Sequence, residues 1–562
     1  MPRRKKPSRN NSKKKQRKSN KRILVKGDNS NRKKLYEIEK IYNGNDGPII
    51  LVEDDDGKEF VLKRYDVEQS DKGVDSSLLL EIMILQHMKK IKSKYIVIID
   101  HVTFTKSAVD IVVEKMNGEL TELIHASPII SQTKNYLKQI LAGLYDLHSN
   151  GIIHCDLKPK NILYTYQNNK TILKIIDFGL SYLINFPYYH ARSIVGTHHY
   201  HPPEYRNHRS VGRITFNSDI YSLGIIFYYM INSKDYLQYD YNKNYEYMFN
   251  INQVDWNFVI KKVGQDGHDL LRQMLEIDPE KRISTIRALN HPFLNNTEDT
   301  EDTEKTKNKK QDGGRIWEIT NLTSTNEYLY PTNHEEFIPI IISNCLKTKF
   351  EVDPKQQIPL YIWNLMYESF ESLELKFITL NYAICLMYKY LSVKRIRQDN
   401  WEHLAYACLF LSTKFNEYRL DVNITKYNID NRKLILKLEK EIIMALDYSF
   451  PIPILITKEV ILYQYFFDVL YKRKYIDIEF KKSPIILNTY HQYYLLQLLS
   501  SITYFTTELY QENKDDLSRM IISFIFPFVK HKTNLKNNLI NMLKSKRQIY
   551  WIETELLEYL NI

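Results

Sequence analysis

Two short motifs constrain this chain of 562 residues more than any other feature of its sequence. The first is His154-Cys155-Asp156-Leu157-Lys158-Pro159-Lys160-Asn161, and the second is Asp177-Phe178-Gly179. Together they supply a carboxylate, an ammonium, an amide and a second carboxylate in a fixed order. Phosphoryl transfer needs a group that orients the attacking hydroxyl, a cation that offsets charge, and oxygen ligands for magnesium. The two motifs therefore contain the parts of that chemistry.

The order and spacing of the motifs resemble the catalytic loop and the metal-binding motif of protein kinases. The resemblance implies that Asp156 orients the substrate hydroxyl as a base and that Lys158 stabilises the transferring phosphoryl group. It also implies that Asn161 and Asp177 bind Mg²⁺ against the phosphates of ATP. Because Asp-Leu-Lys-Pro-Lys-Asn resembles the Ser/Thr version of the loop, serine or threonine is the expected acceptor.

Residues upstream resemble the ATP-binding elements of the same family. Leu35 to Ile41 reads as a strand, and Gly44 and Gly47 lie in the turn that follows. Glycine in such a turn lets backbone N–H groups close over the phosphates. The resemblance implies that Lys63, which ends an apolar strand, grips the α- and β-phosphates and that Glu81 holds this lysine in place.

The resemblance also places Ile41, Glu114 and Met116 around the nucleotide, with Met116 in the hinge that contacts adenine through its backbone. Two departures affect the phosphate loop: Tyr42 replaces the first glycine of G-x-G-x-x-G, and Pro48 follows the last. These departures favour an alternative function. The chain would then be a pseudokinase, an interaction protein that recruits another kinase or a transcription complex.

Further positions match scaffold residues of protein kinases. Pro202-Pro203-Glu204 resembles the end of the activation segment, and Asp219 matches the helix aspartate that ties down the catalytic loop. Arg282 matches the arginine that pairs with the carboxylate of Glu204. The resemblance thus runs from about residue 35 to residue 294.

The stretch from Lys72 to Ile82 resembles the cyclin-binding helix of cyclin-dependent kinases. Those kinases gather three arginines around a phosphorylated threonine, but Leu80, Cys155 and Tyr182 stand at the three positions here. Charge-assisted bonds from arginine are what allow such a phosphate to order a loop. Activity is therefore expected not to require phosphorylation of the activation segment, in which Ser193 is the remaining candidate site.

From about residue 315 the sequence changes to long helical patterns. Cys408 to Glu417 resembles the cyclin box, in which a lysine ends a buried helix and an acidic residue follows on a later helix. The resemblance implies that Lys414 and Glu439 contact the kinase at its Ser76–Met88 helix and hold Glu81 inward. The alternative is an unrelated helical bundle that happens to carry a lysine at a helix end.

The predicted fold class is α+β, a bilobal protein kinase fold followed by an all-α cyclin-type helical domain. The predicted segments are a basic disordered tail (1–34), the kinase domain (35–295), a charged linker with an entry helix region (296–337), the cyclin box (338–455) and a helical C-terminal region (456–562). The sequence leaves open whether this last region forms a second cyclin fold. A flexible linker of about 40 residues reaches roughly 35 Å and gives an effective concentration of about millimolar. Pairing of the two domains within one chain is therefore expected.

The net charge of +12 is concentrated in the first 34 residues, which hold sixteen Lys or Arg against one acid, Asp28. Such a tail could bind a polyanion or an import receptor, or could simply be solvated. A nucleic-acid-associated factor is a third functional class that this tail leaves open. No run approaches the roughly 20 apolar residues of a membrane span, and the four cysteines form no CxxC pair. A cytoplasmic or nuclear location is expected.

These observations predict a Ser/Thr protein kinase that transfers the ATP γ-phosphate to hydroxyls of protein substrates. Its own cyclin domain would activate it in cis, and its role would lie in cell-cycle or transcription control. By analogy alone, such a fusion suggests a large DNA virus as the source, with the protein then acting in the host cell.

Overall fold

The computed structural model of the protein describes residues 22–26, 32–44, 47–66, 73–104, 108–183, 196–205, 214–233, 249 and 251–295, and then 361–362, 365–366, 369, 373, 375, 377–397, 400–416, 432–446 and 450. Several predicted features lie outside these residues. They are the first 21 residues of the tail, Ser193, the linker 296–337 and the region 456–562.

The N-terminal lobe contains a six-stranded antiparallel sheet in the order β1-β2-β3-β4-β6-β5. Its strands are β1 Arg22–Lys26, β2 Arg32–Gly44, β3 Gly47–Asp54, β4 Glu59–Asp66, β5 Ile99–Phe104 and β6 Ala108–Glu114. Side chains alternate between the two faces of a strand. On β4, Phe60 and Leu62 join a small core on one face, so Lys63 and Tyr65 lie on the opposite face, where Tyr65 packs against the main core.

The tail begins to fold earlier than the sequence predicted. Disorder was expected through residue 34, but β1 pairs with β2 from Arg22↔Tyr36 to Lys26↔Arg32. The expectation was therefore wrong for these residues. The apolar run Ile23-Leu24-Val25 explains the difference, because β-branched and aliphatic residues favour strands even when lysine and arginine surround them.

Helix α1, Ser76–Lys90, packs beneath the sheet and extends two residues past the predicted Ser76–Met88. Its N-cap is Asp75, whose carboxylate accepts hydrogen bonds from the N–H groups of Ser77 and Leu78 at 2.8 and 3.2 Å. Every residue from Leu78 to Leu85 is buried. A helix that is buried all around its circumference must be covered on all sides, and α1 is covered by the sheet and by the second domain.

The C-terminal lobe is mainly helical. It comprises β7 Gly118–Glu119, α2 Leu120–His125, α3 Ile130–His148, β8 Ile152–Ile153, β9 Ile162–Gln167, β10 Lys170–Ile175, β11 Tyr182–Leu183, α4 Phe216–Asn232, α5 Trp256–Met274, α6 Thr285–Leu289 and α7 Pro292–Asn295. The two lobes are joined by backbone hydrogen bonds from Val97 N–H to the Ile175 carbonyl (3.1 Å) and from Ile175 N–H to the Tyr95 carbonyl (2.9 Å). These bonds hold the end of β10 against the segment that leads into β5 of the first lobe.

The second domain is all-α over the residues described. Its helices are α8 Phe377–Val393, α9 Trp401–Asn416 and α10 Arg432–Ala445. They share one hydrophobic cluster with α1, and the Tyr382 hydroxyl lies 3.8 Å from the Met83 sulfur. The predicted α+β fold, a bilobal domain followed by a helical domain, is confirmed. Among the described helices, none is long and apolar enough to cross a membrane.

Candidate active site

The loop that carries Asp156 is fixed by a buried aspartate on α4. Asp219 accepts hydrogen bonds from the backbone N–H of His154 (2.8 Å) and of Cys155 (2.9 Å), and it lies 2.9 Å from His148 Nε2. Cys155 has a φ of +67°, a conformation that residues other than glycine rarely adopt. The two bonds to Asp219 hold this strained backbone in place, as predicted for a residue that ties down the loop.

Asp156 lies at the centre of a network of polar contacts. Its Oδ2 accepts a hydrogen bond from Lys158 Nζ at 2.7 Å, and the Asn161 side chain donates to its backbone carbonyl at 2.9 Å. Its Oδ1 accepts from the backbone N–H and the hydroxyl of Thr197, at 2.8 and 2.7 Å. The structure therefore brings together three residues that the sequence predicted and one that it did not, Thr197. The signal for Thr197 was its position in the segment that ends at Pro202-Pro203-Glu204.

Asn161 and Asp177 supply oxygen atoms suited to a hard divalent cation such as Mg²⁺. Burial raises the pKa of Asp177, and the neighbouring Glu81 carboxylate raises that pKa further. A carboxylate that is buried beside another carboxylate is stabilised by a nearby cation. The two residues therefore fit the predicted metal site.

Lys63 and Glu81 form an ion pair across the gap between β4 and α1. Lys63 Nζ donates to Glu81 Oε1 at 2.7 Å. The other carboxylate oxygen, Oε2, accepts from the Tyr65 hydroxyl at 2.7 Å. Glu81 is thus held at both oxygens, once by the predicted lysine and once by a tyrosine that the sequence did not single out.

The predicted phosphate loop is the hairpin between β2 and β3. Gly44 pairs with Gly47 at the end of the hairpin. Gly47 has a φ of +134°, and a Cβ atom there would lie 2.0 Å from the backbone oxygen of Arg64. Only glycine can occupy this position without displacing β4, which fixes the shape of the hairpin.

The three remaining residues predicted to contact a nucleotide differ in what they can offer. Ile41 is exposed, and Met116 is half-buried just beyond β6. The Glu114 carboxylate accepts hydrogen bonds from Lys174 Nζ (2.5 Å) and from the Ile98 N–H (2.7 Å). Because its side chain is engaged in these bonds, Glu114 can contact a nucleotide only through its backbone.

The predicted scaffold pair is present. Arg282 donates from both terminal nitrogens to the Glu204 carboxylate, at 2.8 and 2.9 Å, and its guanidinium carbon lies 4.9 Å from the centre of the Tyr221 ring. A bidentate pair of this kind fixes both position and orientation. It anchors the end of the segment that carries Thr197.

Leu80, Cys155 and Tyr182 are buried in the main hydrophobic cluster. Burial raises the pKa of the Tyr182 hydroxyl well above its usual range. These are the three positions at which the sequence lacks the expected arginines. The structure therefore places packed, uncharged side chains there.

A second lysine–glutamate pair lies just before the start of α1. Lys414 Nζ donates to the Val74 carbonyl at 2.6 Å and also to Glu439, and the Val74 N–H lies 3.4 Å from Glu439 Oε2. Burial lowers the pKa of Lys414 and raises that of Glu439. The sequence predicted contact with the Ser76–Met88 helix, whereas the pair holds the backbone two residues before it.

Gly73 makes room for this second pair. It has a φ of +67°, and a Cβ atom there would lie 2.0 Å from Glu439 Oε2. The glycine therefore serves two purposes, since it permits the turn into α1 and the close approach of the carboxylate.

Comparison with protein-family models gives two matches. The model of the protein kinase domain matches residues 36–294. The model of the cyclin N-terminal domain matches residues 328–450.

Proposed function

Because the chain carries a protein kinase domain followed by a cyclin N-terminal domain, we propose that it is a Ser/Thr kinase held active by its own cyclin domain. One observation carries the proposal. The Lys63–Glu81 pair is closed at 2.7 Å while Lys414 donates to the carbonyl of Val74, two residues before the helix that carries Glu81. The cyclin contact and the catalytic ion pair thus act on one rigid element.

The geometry suits transfer to a serine or threonine hydroxyl. Asp156 accepts the proton of the attacking hydroxyl, and Lys158 offsets charge on the moving phosphoryl group. Thr197 bonds to both side chains and fixes their relative position. Lys63, oriented by Glu81, holds the α- and β-phosphates of ATP. When bound by Asn161 and Asp177, Mg²⁺ would neutralise charge on the phosphates.

We further propose that the kinase works without a phosphate on its activation segment. The uncharged Leu80, Cys155 and Tyr182 offer no guanidinium group to bind such a phosphate. The permanently attached cyclin would supply the ordering instead. Ser193→Ala should then retain the activity of the natural chain, and loss of activity in that variant would contradict the idea.

The remaining parts of the proposal concern cellular role. Protein substrates in cell-cycle or transcription control would suit a kinase with an attached cyclin. The basic tail, residues 1–34, would bind a polyanion or an import receptor in the cytoplasm or nucleus. Deletion of residues 1–21 tests this role, because it should change binding or localisation and leave catalysis intact.

The decisive experiment measures magnesium-dependent phosphate transfer from ATP to a histone-type substrate by the full chain. Asp156→Asn is the blank, since loss of a general base typically lowers the rate about 10²- to 10⁴-fold. The double variant Lys414→Met/Glu439→Leu, called the uncoupled variant below, removes the side chains that hold Val74 to the cyclin domain. Its control is Lys394→Met/Glu441→Leu. The control pair has the same chemistry, with Nζ and Oε1 2.7 Å apart, but both of its residues lie within the cyclin domain and are more exposed.

We expect activity in the natural chain and in the control, less in the uncoupled variant, and phosphoserine or phosphothreonine in the product. Equal activity in the uncoupled variant would reduce the cyclin domain to a targeting module. Phosphotyrosine would overturn the predicted acceptor. No turnover above the blank, even as autophosphorylation, would favour the pseudokinase, an interpretation that the exposed Tyr42 in the phosphate loop also supports.

A further inference from the structure

The carboxylate of Glu81 has two donors on the same strand. Lys63 Nζ bonds to Oε1 and the Tyr65 hydroxyl bonds to Oε2, each at 2.7 Å. Lys63 and Tyr65 are two positions apart on β4, so they point to the same face of the sheet. The strand therefore presents two parallel side chains to one acid on α1.

The two donors differ in how firmly they are held. Lys63 has a flexible stem and a side chain that is 20 % exposed, so its ammonium can also reach a phosphate. Tyr65 has a rigid ring that packs against the main core, with its backbone paired to Val109 on β6. A buried carboxylate such as Glu81 is costly to leave without partners. The tyrosine can satisfy it even while the lysine is engaged elsewhere.

The strand itself is anchored from its other face. Arg64, which lies between the two donors, forms a bidentate pair with the buried Asp110 on β6, at 2.6 and 2.7 Å. This pair fixes the backbone of β4, from which the Tyr65 side chain projects on the opposite face.

We propose that Tyr65 is a positioning residue that fixes Glu81, and with it α1, independently of the cyclin domain. The helix is then held at two points: at Val74 by Lys414 and Glu439, and at Glu81 by Tyr65. This inference rests on the proposed kinase activity and adds a regulatory consequence to it. The kinase keeps part of its activity when the cyclin contact is lost, and Tyr65 then becomes the main anchor.

The test compares Tyr65→Phe with Tyr166→Phe in the full chain. Each change removes one hydroxyl and keeps the ring, but Tyr166 is an exposed residue of β9. Both changes are made in the natural chain and in the Lys414→Met/Glu439→Leu background. The measurements are kcat and KM for ATP, together with hydrogen–deuterium exchange of the α1 amides, which does not depend on activity.

A hydrogen bond to a charged group contributes enough that its loss should lower kcat/KM about tenfold in the uncoupled background. In the natural chain, where the cyclin still holds α1, we expect a loss of about threefold, because two anchors on one element do not act additively. Exchange of the α1 amides should rise most in the uncoupled Tyr65→Phe chain. Tyr166→Phe should change none of these quantities in either background.

Equal losses in the two backgrounds, or a Tyr65→Phe chain that matches Tyr166→Phe, would overturn the proposal. If no chain exceeds the Asp156→Asn blank, the proposed kinase activity fails while the exchange experiment still decides the role of Tyr65. In that case faster exchange of α1 supports the second anchor, and unchanged exchange rejects it.

Discussion

Helix α1 lies between two lysine–glutamate pairs that have the same chemistry and different surroundings. In the kinase domain, the side chains of Lys63 and Glu81 are 20 % and 4 % exposed. At the cyclin contact, those of Lys414 and Glu439 are 9 % and 0 % exposed. The lysine of the first pair is partly exposed to solvent, whereas both residues of the second pair are buried between two domains.

This difference in burial separates a catalytic contact from a structural one. An accessible lysine can bind a phosphate and still return to its carboxylate. A buried pair cannot separate without leaving an uncompensated charge in a medium of low dielectric. We therefore interpret Lys63–Glu81 as the pair that works in catalysis and Lys414–Glu439 as the pair that joins the domains.

Breaking the buried pair on one side should have the largest effect on stability. Glu439→Leu removes the carboxylate that neutralises the buried Lys414 ammonium, which should lower the free energy of unfolding of the cyclin domain by about 3–5 kcal/mol. Urea denaturation followed by circular dichroism measures the change. The double variant Lys414→Met/Glu439→Leu is the control, because an apolar pair of similar volume should restore most of the loss. If Glu439→Leu were as stable as the double variant, burying the Lys414 ammonium without its carboxylate would cost no free energy of unfolding.

Breaking the open pair should affect catalysis and leave stability nearly unchanged. Lys63→Met removes a donor from the phosphates, and loss of one such donor should lower kcat about 10²- to 10³-fold. Steady-state kinetics gives this value, and thermal unfolding of the same sample gives the stability. A large fall in melting temperature would contradict the contrast between the two pairs.

Sequence patterns predicted the parts of the site whose chemistry is local. Asp156, Lys158 and Asn161 lie within a few residues of one another, and the structure brings them together as the motif implied. Thr197 and Tyr65 were missed because neither belongs to a motif that the sequence showed. Hydroxyl-bearing residues are common, and only the fold shows which of them faces a carboxylate.

The fold, like the site, was predictable from the sequence only in part. The strand predicted at Leu35 to Ile41 is present within β2, Arg32–Gly44. The close approach of Gly73 to Glu439 was not predictable, because it joins residues on two domains. Strand β1 was missed because the charge of the tail outweighed its three apolar residues in the prediction, although its partner β2 begins at Arg32.

Gly73→Ala tests the buried lysine–glutamate pair at the domain contact without removing either of its charged side chains. Gly73 (φ +67°) and Gly264 (φ +70°) both have a positive φ, at which an alanine is strained. A Cβ atom at Gly73 meets Glu439, whereas one at Gly264 meets nothing within 4 Å. Both variants should lose stability, but only Gly73→Ala should also lose kinase activity. Equal activity in the two would mean that the clash is absorbed without moving α1.

The smallest effect is expected at a third lysine–glutamate pair, which lies on the surface of the cyclin domain. Lys394 and Glu441 are 46 % and 33 % exposed, and the lysine lowers the pKa of Glu441. Exposed pairs typically contribute about 0–1 kcal/mol, so Lys394→Met should change the free energy of unfolding by that amount at most. Salt should reduce the difference further, because exposed charges are screened. Urea denaturation at low and high salt checks both points. A loss as large as that of Glu439→Leu would show that burial is not what distinguishes the pair at the domain contact.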